Sequence, residues 1–435
     1  MLIDLYELTM AQAYWRARHD GPATFSLFAR GYPASRSYYV AGGIDASLSF
    51  IEHFGFSDSD ISSIHGLDRF DEEFLHFLRG LKFTGTVRSV SEGTVVFADE
   101  PLLEIDAPII EGQLLETALL NIVTTHTNLA SKAARMVHAA GDKSIIDFSA
   151  RRTHGADAAF AAARQSWLAG FAGTSHVGAA AALGIPAVGT MAHSFIQSYE
   201  DELEAFRAYA TEFPNSTVLL VDTWDVESGV RNAITVAREL STQGHRLGGI
   251  RIDSGDLGEL SKMARRMLDE AGLEHVTITV SGGLDEFRIR DLLANDAPID
   301  SFGVGSAFGV ADDAPHIDTA YKLVEYDGRP VRKESPGKQT LPGRKQVWRM
   351  SRQDGTFEAD AITYADEAAV SDAAPLLRVS MARGIRVDGS DNSLRSARDR
   401  CRDQIARLPR ALLQLEPVER YDVRILGALA TDSSR

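Results

Sequence analysis

The sequence predicts an α/β protein: an irregular (β/α) barrel preceded by an α+β domain, with a short β-rich segment and a helical tail at the C-terminus. Three observations carry that expectation. From Ser144 onward, short apolar runs alternate with amphipathic segments, strand following strand at roughly 25 to 40 residues, as right-handed βαβ units require. Nearly every run ends in glycine or charge just before the next helix, where an α/β protein places its chemistry. The first 140 residues lack this rhythm and mix helices with β-rich patches. A doubly wound open sheet is the alternative, but it gathers ligands at one crevice, whereas chemistry at almost every strand end favours the barrel.

In residues 1–140, Leu5–Trp15 and Gly43–His53 read as helices, and Thr24–Phe28 and Ser37–Val40 as strands. Gly85–Val96 and Leu102–Ile105 form a β-rich patch ahead of one long apolar helix, Glu111–His138. The barrel is expected over 141–320. Its strand-like runs are Ser144–Phe148, Ile185–Val188, Thr217–Val221, Gly249–Ile252, Val276–Val280 and Ile299–Val304. Between them, Asp157–Phe171, Phe195–Tyr209, Val230–Leu240, Leu257–Ala271 and Glu286–Leu293 read as helices, with apolar residues three and four apart, as in Leu257, Leu260, Met263 and Met267. In 321–435, Tyr321–Tyr326 and Arg329–Lys333 flank the turn dipeptide Asp327-Gly328 as a hairpin. Gln346–Ser351 and Phe357–Tyr364 extend the β character, and Ser393–Leu413 is a basic amphipathic helix whose charges read as a solvated face.

Composition narrows the function classes. The 435 residues are 44 % hydrophobic and 24 % charged, as in ordinary globular proteins. A net charge of −16 disfavours a general nucleic-acid binder, although a few clustered arginines can still focus a local anion site. The single cysteine, Cys401, excludes an intramolecular disulfide and a cysteine-based zinc cluster. No apolar run approaches the ~18 residues of a membrane span, and Met-Leu-Ile-Asp-Leu-Tyr is not a signal sequence, so a cytoplasmic protein is expected.

The strand ends carry the chemistry. Gly248-Gly-Ile-Arg-Ile-Asp-Ser-Gly-Asp256 delivers Arg251, suited to a planar anion, and Asp253 and Asp256, suited to ribose hydroxyls or hydrated Mg²⁺. A helix cap with a surface ion pair would give the same pattern. After the first strand, Arg151 and Arg152 in Asp147-Phe-Ser-Ala-Arg-Arg-Thr-His154-Gly155 suit a phosphate or pyrophosphate. Gly189-Thr190-Met-Ala-His193-Ser194 places a histidine at a helix start, as proton carrier, phosphate acceptor or hydrogen-bond donor. Asp222-Thr223-Trp224-Asp225 offers carboxylates for Mg²⁺ or sugar, or for a helix cap. Ser281-Gly282-Gly283 and Gly303-Val-Gly305-Ser306 are glycine turns on successive late strands, the arrangement of a barrel phosphate site. Together these groups ask for a ligand with phosphate, sugar, a metal-binding polyanion and a planar part: a phosphoribosyl donor and an aromatic acceptor.

With these motifs the chain resembles the nicotinate phosphoribosyltransferases, type II phosphoribosyltransferases. The resemblance rests on Asp4-Leu-Tyr6-Glu-Leu-Thr9-Met, Arg151-Arg152, Gly189-Thr190-Met-Ala-His193-Ser194, Asp222-Thr223, Arg251-Ile-Asp253-Ser-Gly-Asp256, Ser281-Gly282-Gly283 and Gly303-Val-Gly305-Ser306, in order from residue 4 to about 310. Ser149 and Ser306 stand where relatives often carry glycine and threonine. The resemblance implies conversion of nicotinate and phosphoribosyl pyrophosphate to nicotinate mononucleotide, with Mg²⁺ and coupled ATP hydrolysis, in a homodimer with shared sites. It implies that Tyr6 reaches the pyridine ring across the dimer interface, that Thr190 and Arg251 hold the nicotinate carboxylate and ring, and that ATP phosphorylates His193. Ser306 with the neighbouring glycine N–H groups would bind the 5′-phosphate, Asp253 the ribose hydroxyls, and Asp222 and Arg152 the pyrophosphate and Mg²⁺.

Two rival readings remain at this level. A nicotinamide phosphoribosyltransferase would place an aspartate after a Gly-Thr to accept from the amide; here Gly173-Thr174-Ser175-His176 has no carboxylate, which suits an anionic substrate. A non-catalytic barrel sensing a phosphoribosyl ligand is the second, disfavoured by the arginine pair, His193 and Asp253 occurring together.

Overall fold

A computed structural model describes residues 1–333, 340–387, 393–416 and 419–433. The chain divides into two compact units, Met1–Ser131 with Ala314–Arg435, and Lys132–Asp313. No described helix is long and apolar enough to cross a membrane.

The first unit is built on a seven-stranded sheet. In spatial order its strands are Arg329–Pro330, Thr319–Tyr326, Pro22–Ala29, Pro101–Pro108, Thr86–Ser89, Arg378–Ala382 and Ile385–Arg386. Pro22–Ala29 lies antiparallel between two partners, Leu27 opposite Leu103 on one side and Tyr321 on the other. The expected third segment, 321–435, is therefore not a separate body. Thr319–Tyr326, Arg329–Pro330, Arg378–Ala382 and Ile385–Arg386 extend the sheet begun by the N-terminal residues, with 319–326 and 378–382 covering its otherwise unpaired edges. Ala373–Pro375, Lys345–Ser351, Phe357–Tyr364 and Val423–Ile425 make a second, four-stranded sheet. Helices Asp58–His65, started by a Ser57/Asp60 capping box, and Glu72–Gly80 pack Ile61, Ile64, Phe74, Leu75 and Leu78 into the core. The expected helix Glu111–His138 is two, Ile109–Gln113 and Glu116–Ala140. The tail helix ends at Ile405 and is followed by a 3₁₀ turn, Arg410–Leu413.

The second unit is the incomplete barrel. Its parallel strands in chain order are Ser144–Asp147, Gly173–Thr174, Val218–Leu220, Gly249–Ile252, Thr277–Ser281 and Ser301–Val304. In space the second lies beside the first, the first beside the sixth, and the sixth, fifth, fourth and third follow in turn. First and last strands thus pair, Ser144 opposite Ser301 and Asp147 opposite Val304, as barrel closure requires. Ile145, Leu219, Leu220, Ile250, Ile252, Ile278, Val280, Phe302 and Val304 are buried, so both faces of this sheet are covered.

The second strand corrects the sequence reading. Ile185–Val188 forms only a bridge, Thr174 opposite Ala187, because Pro186 has no N–H to give a ladder; the strand itself is the short Gly173–Thr174. The expected helix Phe195–Tyr209 is also broken, into His193–Gln197 and Glu202–Glu212, the second capped by Asp201. Asp225, Asp256 and Asp285 cap the helices after the third, fourth and fifth strands.

Candidate active site

The site grows from the end of the fourth strand. Arg251 leaves that strand with its side chain only 11 % exposed. Its Nε donates to Ser281 Oγ at 2.9 Å, Nη1 to Thr190 Oγ1 at 3.0 Å and Nη2 to Asp253 Oδ1 at 3.0 Å. The guanidinium carbon lies 5.5 Å from the centre of the Phe148 ring. One planar cation therefore joins loops of the first, second, fourth and fifth strands.

Asp253 is the second centre. Its Oδ1 accepts from Arg251 and, closely, from Ser281 Oγ, while its backbone N–H donates to Asp222 Oδ2 at 2.9 Å. Partial burial alone would raise this carboxyl; the hydrogen bonds from Ser281 and Arg251 and the charge of Arg251 outweigh it and hold it below the usual carboxylate range. His193 Nε2 stands 4.0 Å from Asp253 Oδ2, and its Nδ1 is 3.2 Å from Thr223 Oγ1. The imidazole is 38 % exposed, at the first position of a helix, so solvent and a ligand can both reach it.

Asp222 ties the fourth-strand loop down: Oδ2 also accepts from Ser254 Oγ at 2.6 Å. Its Oδ1 is buried and has no hydrogen-bond partner among the described residues. Such an oxygen asks for a cation or a donor from a ligand. No group of three or more His, Cys, Asp or Glu among the described residues forms a metal cage. An Mg²⁺ would find one protein oxygen here, Asp222 Oδ1. Asp256 is committed to its helix, Oδ1 accepting from the N–H groups of Gly258 and Glu259 at 3.1 and 3.2 Å.

The glycine turns are where the sequence placed them. Gly282 has φ +92°, and a Cβ there would stand 2.0 Å from the Asp253 carbonyl oxygen, so the fifth-strand turn presses directly on the fourth-strand loop. A Cβ on Gly303 would stand 2.5 Å from the Phe148 ring, which seats the aromatic against the sixth strand. Gly283 has φ +61°, and Gly305 and Ser306 open a single turn of helix, Ser306–Gly309, with the Ser306 hydroxyl exposed. Arg151 and Arg152 are exposed on the first-strand loop and make no ion pair among the described residues, leaving two free cations. Tyr6 belongs to the other unit. It is 45 % exposed, and burial together with the neighbouring Glu116 carboxylate, which accepts its hydroxyl, raises its pKa.

Two residues were given no role by the sequence. Phe148 supplies the aromatic face beside Arg251. Asp147, fully buried, accepts from the Ser149 N–H at 2.8 Å and from Thr174 Oγ1 at 2.7 Å, knitting the first two strand ends together. Burial raises its carboxyl despite these bonds. A carboxylate closing an otherwise apolar strand, Ser-Ile-Ile-Asp, was the available signal.

A buried guanidinium beside an aromatic ring, a carboxylate held ionised, exposed arginines and paired glycine turns on a barrel are chemically suited to a phosphorylated sugar and a planar anion. Residues 1–124 match the nicotinate phosphoribosyltransferase (NAPRTase) N-terminal domain, and residues 143–357 match the nicotinate phosphoribosyltransferase (NAPRTase) family. The chain belongs to the nicotinate phosphoribosyltransferase family, enzymes of NAD biosynthesis. It is 48 % identical over 436 residues to nicotinate phosphoribosyltransferase pncB2 of Mycobacterium tuberculosis (strain H37Rv), covering 99 % of this chain and 93 % of that one. It is 44 % identical over 375 residues to the Bacillus subtilis nicotinate phosphoribosyltransferase, covering 84 % and 76 %. The crystal structure of human nicotinic acid phosphoribosyltransferase superposes with a TM-score of 0.89 at 28 % identity, covering 100 % of this chain and 99 % of that one.

Proposed function

We propose that this site joins nicotinate to phosphoribosyl pyrophosphate through the residues named above. The pyridine nitrogen forms the bond to the ribose anomeric carbon as the bond from that carbon to pyrophosphate breaks, and the electron pair leaves with pyrophosphate. The observation that carries the reading is Arg251, a buried fork held by Thr190, Ser281 and Asp253 over an aromatic ring. It suits an aromatic carboxylate better than a neutral amide. Ser175, where a nicotinamide enzyme would carry a carboxylate, points the same way.

Asp253, kept ionised, would hold the ribose hydroxyls and place negative charge beside the developing cationic sugar. Arg151 and Arg152 would take the departing pyrophosphate, and the turns Ser281–Gly283 and Gly303–Ser306 the 5′-phosphate. Mg²⁺ bound to pyrophosphate would neutralise its charge, with the unpartnered Asp222 Oδ1 as the protein contact and Asp256 held to its helix. ATP hydrolysis would be coupled through His193, whose exposed imidazole has Thr223 and Asp253 beside it. A homodimer in which Tyr6 serves the neighbouring subunit's site completes the reading, supported by the exposure of Tyr6. The test is product analysis with nicotinate against nicotinamide, with and without ATP. Nicotinate mononucleotide and pyrophosphate are expected from nicotinate, in greater yield with ATP; equal use of nicotinamide, or no turnover of either base, would overturn the assignment.

A further inference from the structure

The second unit also holds a buried charge cluster centred on Lys132. Lys132 is 1 % exposed, and its ammonium nitrogen lies 2.6 Å from Glu286, 2.8 Å from Asp312 and 3.2 Å from Asp313. An ammonium has three N–H donors, and three carboxylates stand ready to accept them. The second oxygen of Glu286, itself fully buried, accepts from Arg135 Nε at 3.0 Å.

These carboxylates sit next to the two glycine turns. Glu286 opens the helix that directly follows Ser281–Asp285, and Asp285 caps that helix on the Arg288 N–H at 2.7 Å. Asp312 and Asp313 follow the turn Ser306–Gly309, and the Asp312 N–H donates back to the Ala307 carbonyl at 3.1 Å. One buried nitrogen therefore joins the segments behind both turns. We infer that Lys132 is a positioning residue that sets the spacing between the fifth- and sixth-strand turns, so that both meet the 5′-phosphate of phosphoribosyl pyrophosphate. This rests on the reading of those turns given above. A buried ion cluster suits the task because a shift of either segment would leave a desolvated charge without its partner, so one arrangement is strongly preferred.

The experiment measures the KM of each substrate, and direct binding of ribose 5-phosphate and of inorganic pyrophosphate, for wild type, Lys132→Met, Lys132→Arg and Asp312→Asn. Lys132→Met is expected to raise the KM of phosphoribosyl pyrophosphate and weaken ribose 5-phosphate by about tenfold. The nicotinate KM and the affinity for inorganic pyrophosphate should stay at wild-type values, and Lys132→Arg should recover part of the loss. Should Lys132→Met fail to fold, Asp312→Asn carries the test: its side chain is 46 % exposed and removes one arm, with a smaller loss of the same kind expected. Parallel rises in both KM values, a loss confined to kcat and melting temperature, or no change in any folded variant would overturn the clamp while leaving the reaction assignment standing. A wild type that neither releases pyrophosphate with nicotinate nor binds ribose 5-phosphate would overturn both.

Discussion

Arg251 Nη1 donates to Thr190 Oγ1 at 3.0 Å, so a side chain of a regular barrel strand holds the loop beyond the least regular one. The segment before Thr190 meets the sheet through the bridge of Thr174 and Ala187, and this bond adds an anchor beyond it. Thr190→Val keeps the shape and removes the acceptor. The expected outcome is a rise of about threefold to tenfold in the nicotinate KM with a smaller change for phosphoribosyl pyrophosphate, read from steady-state kinetics.

Arg251→Lys keeps the charge and loses the fork that reaches Ser281, Thr190 and Asp253 together. The nicotinate KM should rise by about tenfold to a hundredfold, well beyond that of phosphoribosyl pyrophosphate. Equal changes would remove Arg251 as the base-recognition residue.

Ser281→Ala tests the charge state of Asp253. The folded carboxyl lies below its ordinary value, so its negative charge is present above the unfolded pKa and is lost only as pH falls through the lower folded one. Without the Ser281 hydroxyl that pKa moves up. The acid limb of kcat/KM should shift to higher pH, and the variant should lose stability on acidification earlier than wild type. An unmoved limb would show that another group sets it.

His193→Asn separates chemistry from structure. With the ring 38 % exposed and no tight partner, melting should change by no more than about 2 °C. ATP-independent nucleotide synthesis should persist slowly, whereas ATP hydrolysis and acid-labile, base-stable ³²P transfer from γ-labelled ATP should vanish. Equal labelling of the variant would exclude His193 as the phosphate carrier.

Glu7 predicts a pH dependence of stability in the other unit. Burial raises its carboxyl from 4.5 to about 7, against the hydrogen bonds from Thr117. The folded state therefore holds a proton that the unfolded state gives up above 4.5, so stability falls as pH rises from there to about 7 and is level beyond. Glu7→Gln should melt about 2 °C or more above wild type at pH 8, with little difference at pH 4.5, by calorimetry. A difference independent of pH would mean that Glu7 is ionised in the fold.

The regular parts of the fold were legible because apolar period and capping chemistry agree there. Gly249–Ile252 and Phe357–Tyr364 fall where the sequence placed them, and Asp256 and Asp285 begin helices in the manner of N-caps. Gly173–Thr174 was not legible, because two small residues carry no period and Ile185–Val188 offers a stronger apolar signal that Pro186 cannot convert into a ladder. Arg251, Asp253, Thr190 and His193 were readable as a group, since strand ends in one barrel converge. Phe148, Asp147 and Lys132 were not, because their importance lies in contacts between segments far apart in sequence. The C-terminal segment misled for the same reason: nothing local says that Thr319–Tyr326 pairs with Pro22–Ala29.

That pairing bears on how the chain is made. During synthesis, strands 22–29, 86–89 and 101–108 emerge first, and in the finished sheet they stand side by side with Pro22–Ala29 at one margin of the trio and Thr86–Ser89 at the other. Both margins stay open while the barrel is translated, until residues 319–326 and 378–382 leave the ribosome to close them. The nascent N-terminal half thus carries two sticky borders, one of them reading Ala-Thr-Phe-Ser-Leu-Phe-Ala, through much of its elongation. Chains stopped after the barrel would keep those borders exposed, and their fate would be aggregation or chaperone capture, whatever the integrity of the catalytic residues they contain.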